Sequence, residues 1–408
     1  MWMIKIHKML KINTLRTFFR SILGARTALF ATIACSLLAC SGEKNADRAT
    51  PDCAPLPALE FSKNLKIGES CEERMAEIRT IVGRDTLTRR FSLKKGPSRV
   101  VTLSSAQIGY MLRLGLMDRI VGVSESNFIA DSVLYTRVQK GEVVDVGSGS
   151  TLSMEKLMAL KPDLVMNFAT GAGYDDYERI EAMGFPLMLT SEWQEEHPLA
   201  KAEWIKLYGI LFGVEELADS IYKQSKIAYK AATDPSTSLR STQDDTLPTS
   251  DILLPTKNCP RVLAGMSYGG TWYAPGGQSY TAQLIRDAGG CYLWSSDSSR
   301  ELRFSLEQII NLADSVDIWF NPGMFSTPDE VLATEPRVAA IKAFRDKRVY
   351  QNDARKGPAG GNDFYESAVA QPENVLMDFI WAIRGEKDSE MVDSAACAPR
   401  WYRNIFNF

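Results

Sequence analysis

The sequence predicts an α/β fold of two similar parallel-sheet lobes. From Arg99 onward, short apolar runs alternate with helix-patterned stretches. The alternation stops at Pro198 for a long helical stretch and resumes at Arg261. Two segments, one on each side of that break, align without gaps at an offset of 152 residues. Strands alternating with helices indicate βαβ units and a parallel sheet.

Taken in order, Val100–Leu103 reads as a strand, 107–114 as a helix and Ile120–Val123 as the next strand. Met154–Leu160 is helical and 164–168 a strand. Tyr177–Met183 is helical and 186–189 a strand. Beyond Pro198, Gly209 and Gly213 interrupt the helical stretch. Val214, Leu217, Ala218, Ile221, Tyr222 and Ser225 then keep helical spacing. A helix over 214–232 is about 28 Å long at 1.5 Å per residue. Residues 234–259 are rich in Ser, Thr, Asp and Pro and read as a surface loop. Strands follow at 261–264, 316–320 and 349–350, with helices at 280–288, 306–312 and 372–383. The expected division is an N-terminal extension at 61–98, a first lobe at 99–197, a helical connector at 198–233 and a second lobe at 260–408.

The repeat pairs Ser153 to Leu160, leading into Val165 to Phe168, with Ser305 to Leu312, leading into Asp317 to Phe320. Each copy has a serine N-cap, a first-turn glutamate favoured by the helix dipole, an apolar helix face and a buried strand. Glu155 and Glu307 thus hold equivalent places.

The start of the chain reads as an address. Lys5, Lys8, Lys11, Arg16, Arg20 and Arg26 precede an uncharged stretch over 27–42 whose apolar part is too short to span a bilayer. Leu37-Leu38-Ala39-Cys40 resembles the bacterial lipobox, so residues 1–39 are expected to be a lipoprotein signal peptide. Cys40 is expected to be acylated and to hold the chain on a lipid bilayer. Residues 40–60 then form a tether. Ser41 follows the cysteine, so the sequence leaves open which membrane carries the periplasm-facing protein. Loss of six positive charges takes the formal charge from −3 to about −9, which argues against a nucleic-acid partner. Of Cys53, Cys71, Cys259, Cys291 and Cys397, Cys53 and Cys71 are the preferred local bridge, although connectivity is not readable from sequence.

From about Arg99 to Arg384 the chain resembles the iron–siderophore/cobalamin class (class III) of periplasmic substrate-binding proteins. The residues that carry the resemblance are Arg99 to Ser104, Asp118 to Val123 and, above all, Ser153 to Phe168 with Leu157 to Val165 at its centre. The resemblance implies two α/β lobes joined by one long helix, with a ligand cleft between them. It implies a non-enzymatic carrier, without a cofactor, that captures an iron complex (siderophore or haem) or cobalamin for an ABC permease and its ATPase. It also gives Glu155 and Glu307 a permease-docking role, helix capping being the alternative.

Ligands in such folds sit at the carboxyl ends of strands. That rule selects Ser105, Phe168, Thr170 and Trp193 in the first lobe. In the second it selects Tyr268, Trp272, Tyr273, Arg303 and Asn321. Aromatic residues suit a large flat ligand, although each is also a packing residue. Arg303 suits a ligand carboxylate or phosphate, or else a surface salt bridge.

Other classes fit less well. A zinc or manganese site is built from several histidines, and beyond residue 39 there is only His197. Gly265-Met266-Ser267-Tyr268-Gly269 matches the hydrolase pattern G-x-S-x-G, but no histidine follows Ser267 to act as its base. No P-loop occurs. A lipoprotein that scavenges ligand without a transporter is the alternative function.

Overall fold

The computed structural model describes residues 58–70, 73–93, 96–172, 175–234, 259–385 and 399–407 of the 408. Cys40, Cys53, Cys71, Cys397, the expected signal peptide, most of the tether and residues 235–258 lie outside them.

The extension at the start of the described residues is an antiparallel meander of β1 (Leu65–Ser70), β2 (Glu73–Val82) and β3 (Asp85–Ser92). The first α/β sheet follows, from β4 (Val100–Thr102), β5 (Ile120–Val123), β6 (Val144–Asp145), β7 (Leu164–Asn167) and β8 (Leu187–Leu189). Its order is β6-β5-β4-β7-β8, parallel throughout. Helices cover both faces, so β4 and β7 are buried along their whole length and read as continuous apolar runs. Side chains of Ser104, Asp131 and Ser153 cap the helices that begin at Ser105, Ser132 and Met154.

The second half contains β9 (Arg261–Ala264), β10 (Met266–Tyr268), β11 (Thr271–Pro275), β12 (Cys291–Tyr292), β13 (Glu301–Ser305), β14 (Ile318–Phe320), β15 (Val349–Gln351) and β16 (Arg403–Asn404). Five of these form a sheet ordered β12-β9-β14-β15-β16, parallel except for β16. The other three make a small antiparallel sheet, β10-β11-β13. The turn between β10 and β11 uses Gly269 and Gly270, both at positive φ (+56° and +80°), as a two-residue hairpin turn requires. Cys259, just before β9, is bonded to Cys291 on the neighbouring β12, which ties the sheet edge down. Closing a loop of that size contributes about 3–4 kcal/mol on chain-entropy grounds.

Each sheet reverses direction of build once. The switch points lie between β4 and β7 in one sheet and between β9 and β14 in the other. The two repeat copies are the helix–strand units that end on β7 and on β14, so they occupy equivalent places beside the switch points.

The stretch after Pro198 is three helices, Pro198–Glu203, Ile205–Phe212 and Glu215–Thr233. Gly213 ends the second in left-handed backbone (φ +71°). Gly209 was expected to interrupt the helical stretch and does not. It lies inside Ile205–Phe212, where a Cβ would collide with Ala218 of the next helix. The 19-residue helix bridges both cores. Ala218 and Tyr222 pack in the core beneath the first sheet, and Tyr229 packs in the core beneath the second.

Candidate functional site

A cavity of about 320 Å³ opens at the carboxyl ends of β14 and β15. Asn321, directly after β14 at the switch point, lines it with Gly323. Gln351 and Asn352, at and after the end of β15, line it as well. Tyr280 and Thr281 come from the helix Tyr280–Asp287, Phe364 and Tyr365 from the short helical turn Asp363–Tyr365 after β15, and Tyr402 from the chain before β16. From the first half and the connector come Trp193, Glu195 and Lys201.

Asn321 adopts φ +57°, unusual for a residue with a side chain. Its backbone N–H is held by the Tyr350 carbonyl at 2.8 Å. That pose leaves the side-chain Oδ1 buried without a hydrogen-bond partner among the described residues. Trp193 and Tyr365 are 42% and 57% exposed, and they offer aromatic faces at the mouth. Burial pushes the Tyr402 hydroxyl well above the ordinary range and raises Tyr280 as well. The ammonium of Lys201 stands 5.2 Å from the centre of the Tyr280 ring. Burial pulls its pKa down, opposed by the nearby Glu192.

Of the residues selected from sequence, Trp193 and Asn321 line this cavity. Ser105, Phe168 and Thr170 are half-buried at the carboxyl edge of the first sheet and do not line it. The meander covers that flank. Its Gly83 N–H donates to the Thr170 carbonyl at 3.2 Å, and Gly171 is packed so closely on Gly83 that a Cβ would collide with it. Asp175 holds the same loop, accepting from Thr170 N at 2.7 Å and Thr170 Oγ1 at 2.8 Å.

The small antiparallel sheet carries Tyr268, Tyr273 and Arg303. Arg303 lies 5.4 Å over the Tyr273 ring and pairs with Glu301 at 3.0 Å, the surface salt bridge among its two expected roles. Trp272, expected at the cleft, is fully buried against Trp319 instead. Its indole N–H donates to the Ala264 carbonyl at 3.3 Å. Neighbours on a strand face opposite ways, so a core-facing Trp272 goes with an outward Tyr273. Ser267 sits on β10 opposite Trp272. Glu155 and Glu307 are exposed in the first turns of their helices, each behind a serine cap, and Glu307 also meets Arg337 at 3.0 Å.

Position on strand ends would have found Gln351 and Asn352, because they follow the strand expected at Val349. Nothing local in the sequence marks Glu195, Lys201, Tyr280, Tyr365 or Tyr402 as neighbours.

A seam at Glu366, directly after the cavity-lining Phe364 and Tyr365, joins the halves. Glu366 accepts the backbone N–H groups of Ala130 (2.9 Å) and Asp131 (2.8 Å) from the first half. Gly109 lies against the Glu366 carbonyl, and Gly357 and Gly361 lie against the backbone of residues 128–130, all too close for a Cβ. Burial raises the Glu366 carboxyl from 4.5 to about 7. Because the folded value lies above the unfolded one, the native state binds the extra proton between them. This stability is therefore complete below about pH 4.5 and is lost as pH rises through 7. Asp378, raised to about 6 by burial, acts in the same direction. Urea midpoints are expected to fall between pH 5 and 8, with Glu366 contributing about 3 kcal/mol at 1.36 kcal/mol per unit. In Glu366→Gln the slope flattens whatever the absolute stability. An unchanged slope would remove Glu366 as its source.

Comparison with known proteins agrees with this architecture. An uncharacterised lipoprotein of Methanocaldococcus jannaschii is 20% identical over 299 residues, 71% of this chain and 66% of its own length. An uncharacterised ABC transporter substrate-binding lipoprotein of Bacillus subtilis is 26% identical over 160 residues, 39% of this chain and 48% of that one. The chain therefore spans about half to two thirds of these relatives. Among solved structures, a periplasmic haem-binding protein of Pseudomonas aeruginosa has a TM-score of 0.51 at 18% identity, covering 70% of this chain and 92% of that one. An ABC transporter substrate-binding protein of Listeria monocytogenes has a TM-score of 0.51 at 20% identity, covering 71% and 99%. These structural likenesses establish the fold. The family profile described as periplasmic binding protein matches residues 100–355, the stretch that holds both parallel sheets up to β15, and the chain belongs to that family.

Proposed function

We propose that this protein is the substrate-binding lipoprotein of an ABC importer, acylated on Cys40, and that it captures an iron complex (siderophore or haem) or cobalamin. Family membership over residues 100–355 carries the reading. The cavity at the second switch point supports it, because folds of this kind bind ligands at such points. Two relatives named as lipoproteins, one of them as an ABC substrate-binding protein, support the anchored form.

The cavity is at the small end of the usual range for ligand pockets, about 300–1,000 Å³. A porphyrin, corrin or ferric siderophore would enter it only in part, with the remainder against the exposed faces of Trp193 and Tyr365. Closure is then a rocking of the two halves about the 19-residue helix. The loaded protein docks on the permease through Glu155 and Glu307.

Titration of the purified protein with haemin, cyanocobalamin and a panel of ferric siderophores, followed by visible absorbance, tests this. One class is expected to bind with Kd of about 1 μM or tighter. Trp193→Ala is expected to weaken that binding about tenfold, or 1.4 kcal/mol. Absence of binding by all three classes at 100-fold higher concentration (~100 μM) would overturn the ligand reading.

A further inference from the structure

The geometry points to an anion-recognising subsite at the inner wall of the cavity, where the Lys201 ammonium and the Tyr280 ring receive an anionic oxygen group of the ligand. The inference rests on the binding-protein reading and names the chemistry at one end of its ligand.

Lys201 lines the cavity, and among the described residues its ammonium has no carboxylate within ion-pair distance and no hydrogen-bond acceptor. What it has is the face of Tyr280 at 5.2 Å. A cation over an aromatic face is only partly compensated, and a half-buried ammonium without an ion-pair partner carries part of the cost of leaving water. An anionic group entering the cavity removes that cost, and the charge-assisted hydrogen bonds it forms are stronger than neutral ones.

Two acidic residues stand near enough to compete, and neither forms an ion pair or hydrogen bond with Lys201 among the described residues. Glu195 turns both oxygens to the meander and the connector. It accepts from the Ser62 hydroxyl, from the N–H groups of Lys63 and Asn64 at 3.1 Å each, and from the Trp204 indole at 3.0 Å. Glu192 is buried and acts on Lys201 through space, with no ion pair or hydrogen bond between the two among the described residues. Across the cavity the Asn321 amide meets the Tyr402 hydroxyl, and its buried Oδ1 has no hydrogen-bond partner among the described residues. A ligand group with an anionic oxygen beside a hydroxyl or N–H would satisfy both walls. Carboxylates and phosphates share this chemistry.

The first arm needs no knowledge of the natural ligand. Benzoate and inorganic phosphate are titrated by calorimetry into the wild type, Lys201→Met and Lys201→Arg. Millimolar binding of at least one is expected in the wild type. It should weaken at least tenfold in Lys201→Met, which keeps the stem and removes the charge, and recover in part in Lys201→Arg. The second arm compares haemin with its dimethyl ester, and cyanocobalamin with cobinamide, which lacks the phosphate. Lys201→Met should lose about tenfold affinity for the member of the binding pair that carries the anionic oxygen group and leave the member without it unchanged. The pair affected tells a carboxylate from a phosphate. Equal binding of the simple anions to wild type and Lys201→Met, or no binding of either to the wild type, overturns the subsite whether or not the large ligands bind. Simple-anion binding that depends on Lys201, with no large ligand bound, instead overturns the ligand reading and leaves the subsite standing.

Discussion

Glu203→Ala is expected to destabilise the protein by about 3–5 kcal/mol, the usual cost of breaking a buried ion pair by removing one partner. Glu203 is fully buried. It accepts the backbone N–H groups of Glu60 (3.2 Å), Phe61 (2.9 Å) and Ser62 (3.0 Å) and meets Lys206 at 3.4 Å. Alanine leaves those donors without an acceptor, each costing about 1–3 kcal/mol where water cannot reach it. Eight residues earlier, Glu195 does the same for residues 62–64. Together the two carboxylates hold the segment at 60–64 that leads into the meander against the connector. Urea denaturation measures the loss, and limited proteolysis near residues 58–66 shows where it falls. Glu203→Gln keeps one acceptor oxygen and should lie in between. A cost below about 1 kcal/mol with unchanged protease resistance would show that the meander is held by its apolar side chains, such as Leu65 and Ile78, and not by Glu203.

That anchorage was not legible in the sequence, and the reason is physical. A glutamate in a polar run such as Glu195-Glu196 reads as a solvated charge. Only the return of a chain segment more than 130 residues away turns Glu195 into an acceptor for two backbone N–H groups and the Ser62 hydroxyl. Lys201 was hidden in the same way, inside a stretch readable only as helix. What was legible were features set by local physics. Buried parallel strands appear as short apolar runs at 100–102, 164–167, 261–264 and 318–320, and each was expected within two residues. The serine caps at 153 and 305 both accept the N–H three residues on. Gly265 and Gly269 looked like a catalytic pattern around Ser267. Gly269 forms the hairpin turn, and Gly265 lies where a Cβ would collide with the Tyr273 carbonyl, so those glycines serve backbone geometry. Trp193 and Asn321, which line the cavity, were selected because strand ends are a positional rule. Ser105, Phe168 and Thr170 met the same rule, but the meander lies over the Thr170 loop on their side.

Glu155→Ala combined with Glu307→Ala is expected to reduce ligand uptake by tenfold or more while ligand affinity stays unchanged. The two carboxylates stand at equivalent places, each in the first turn of the helix that feeds the strand beside a switch point. Both are exposed and lie apart from the cavity-lining residues. Loss of either costs the helix about 0.3–1 kcal/mol of dipole interaction, too little to unfold the protein, so a transport defect would report on docking. Glu307 already meets Arg337, in a pair exposed on both sides. Such pairs contribute about 0–1 kcal/mol, so a cationic permease surface can displace Arg337 at small cost. Arg337→Ala should therefore leave uptake intact or raise it. Charge reversal to arginine at both positions should cost more than alanine, because like charges repel the partner as well as losing the attraction. The docking rate should fall as salt rises past the screening length of about 8 Å at physiological ionic strength. Transport assays in a strain that depends on this protein decide the matter. Undiminished uptake by the double alanine variant with normal ligand affinity would leave Glu155 and Glu307 as helix-capping residues only.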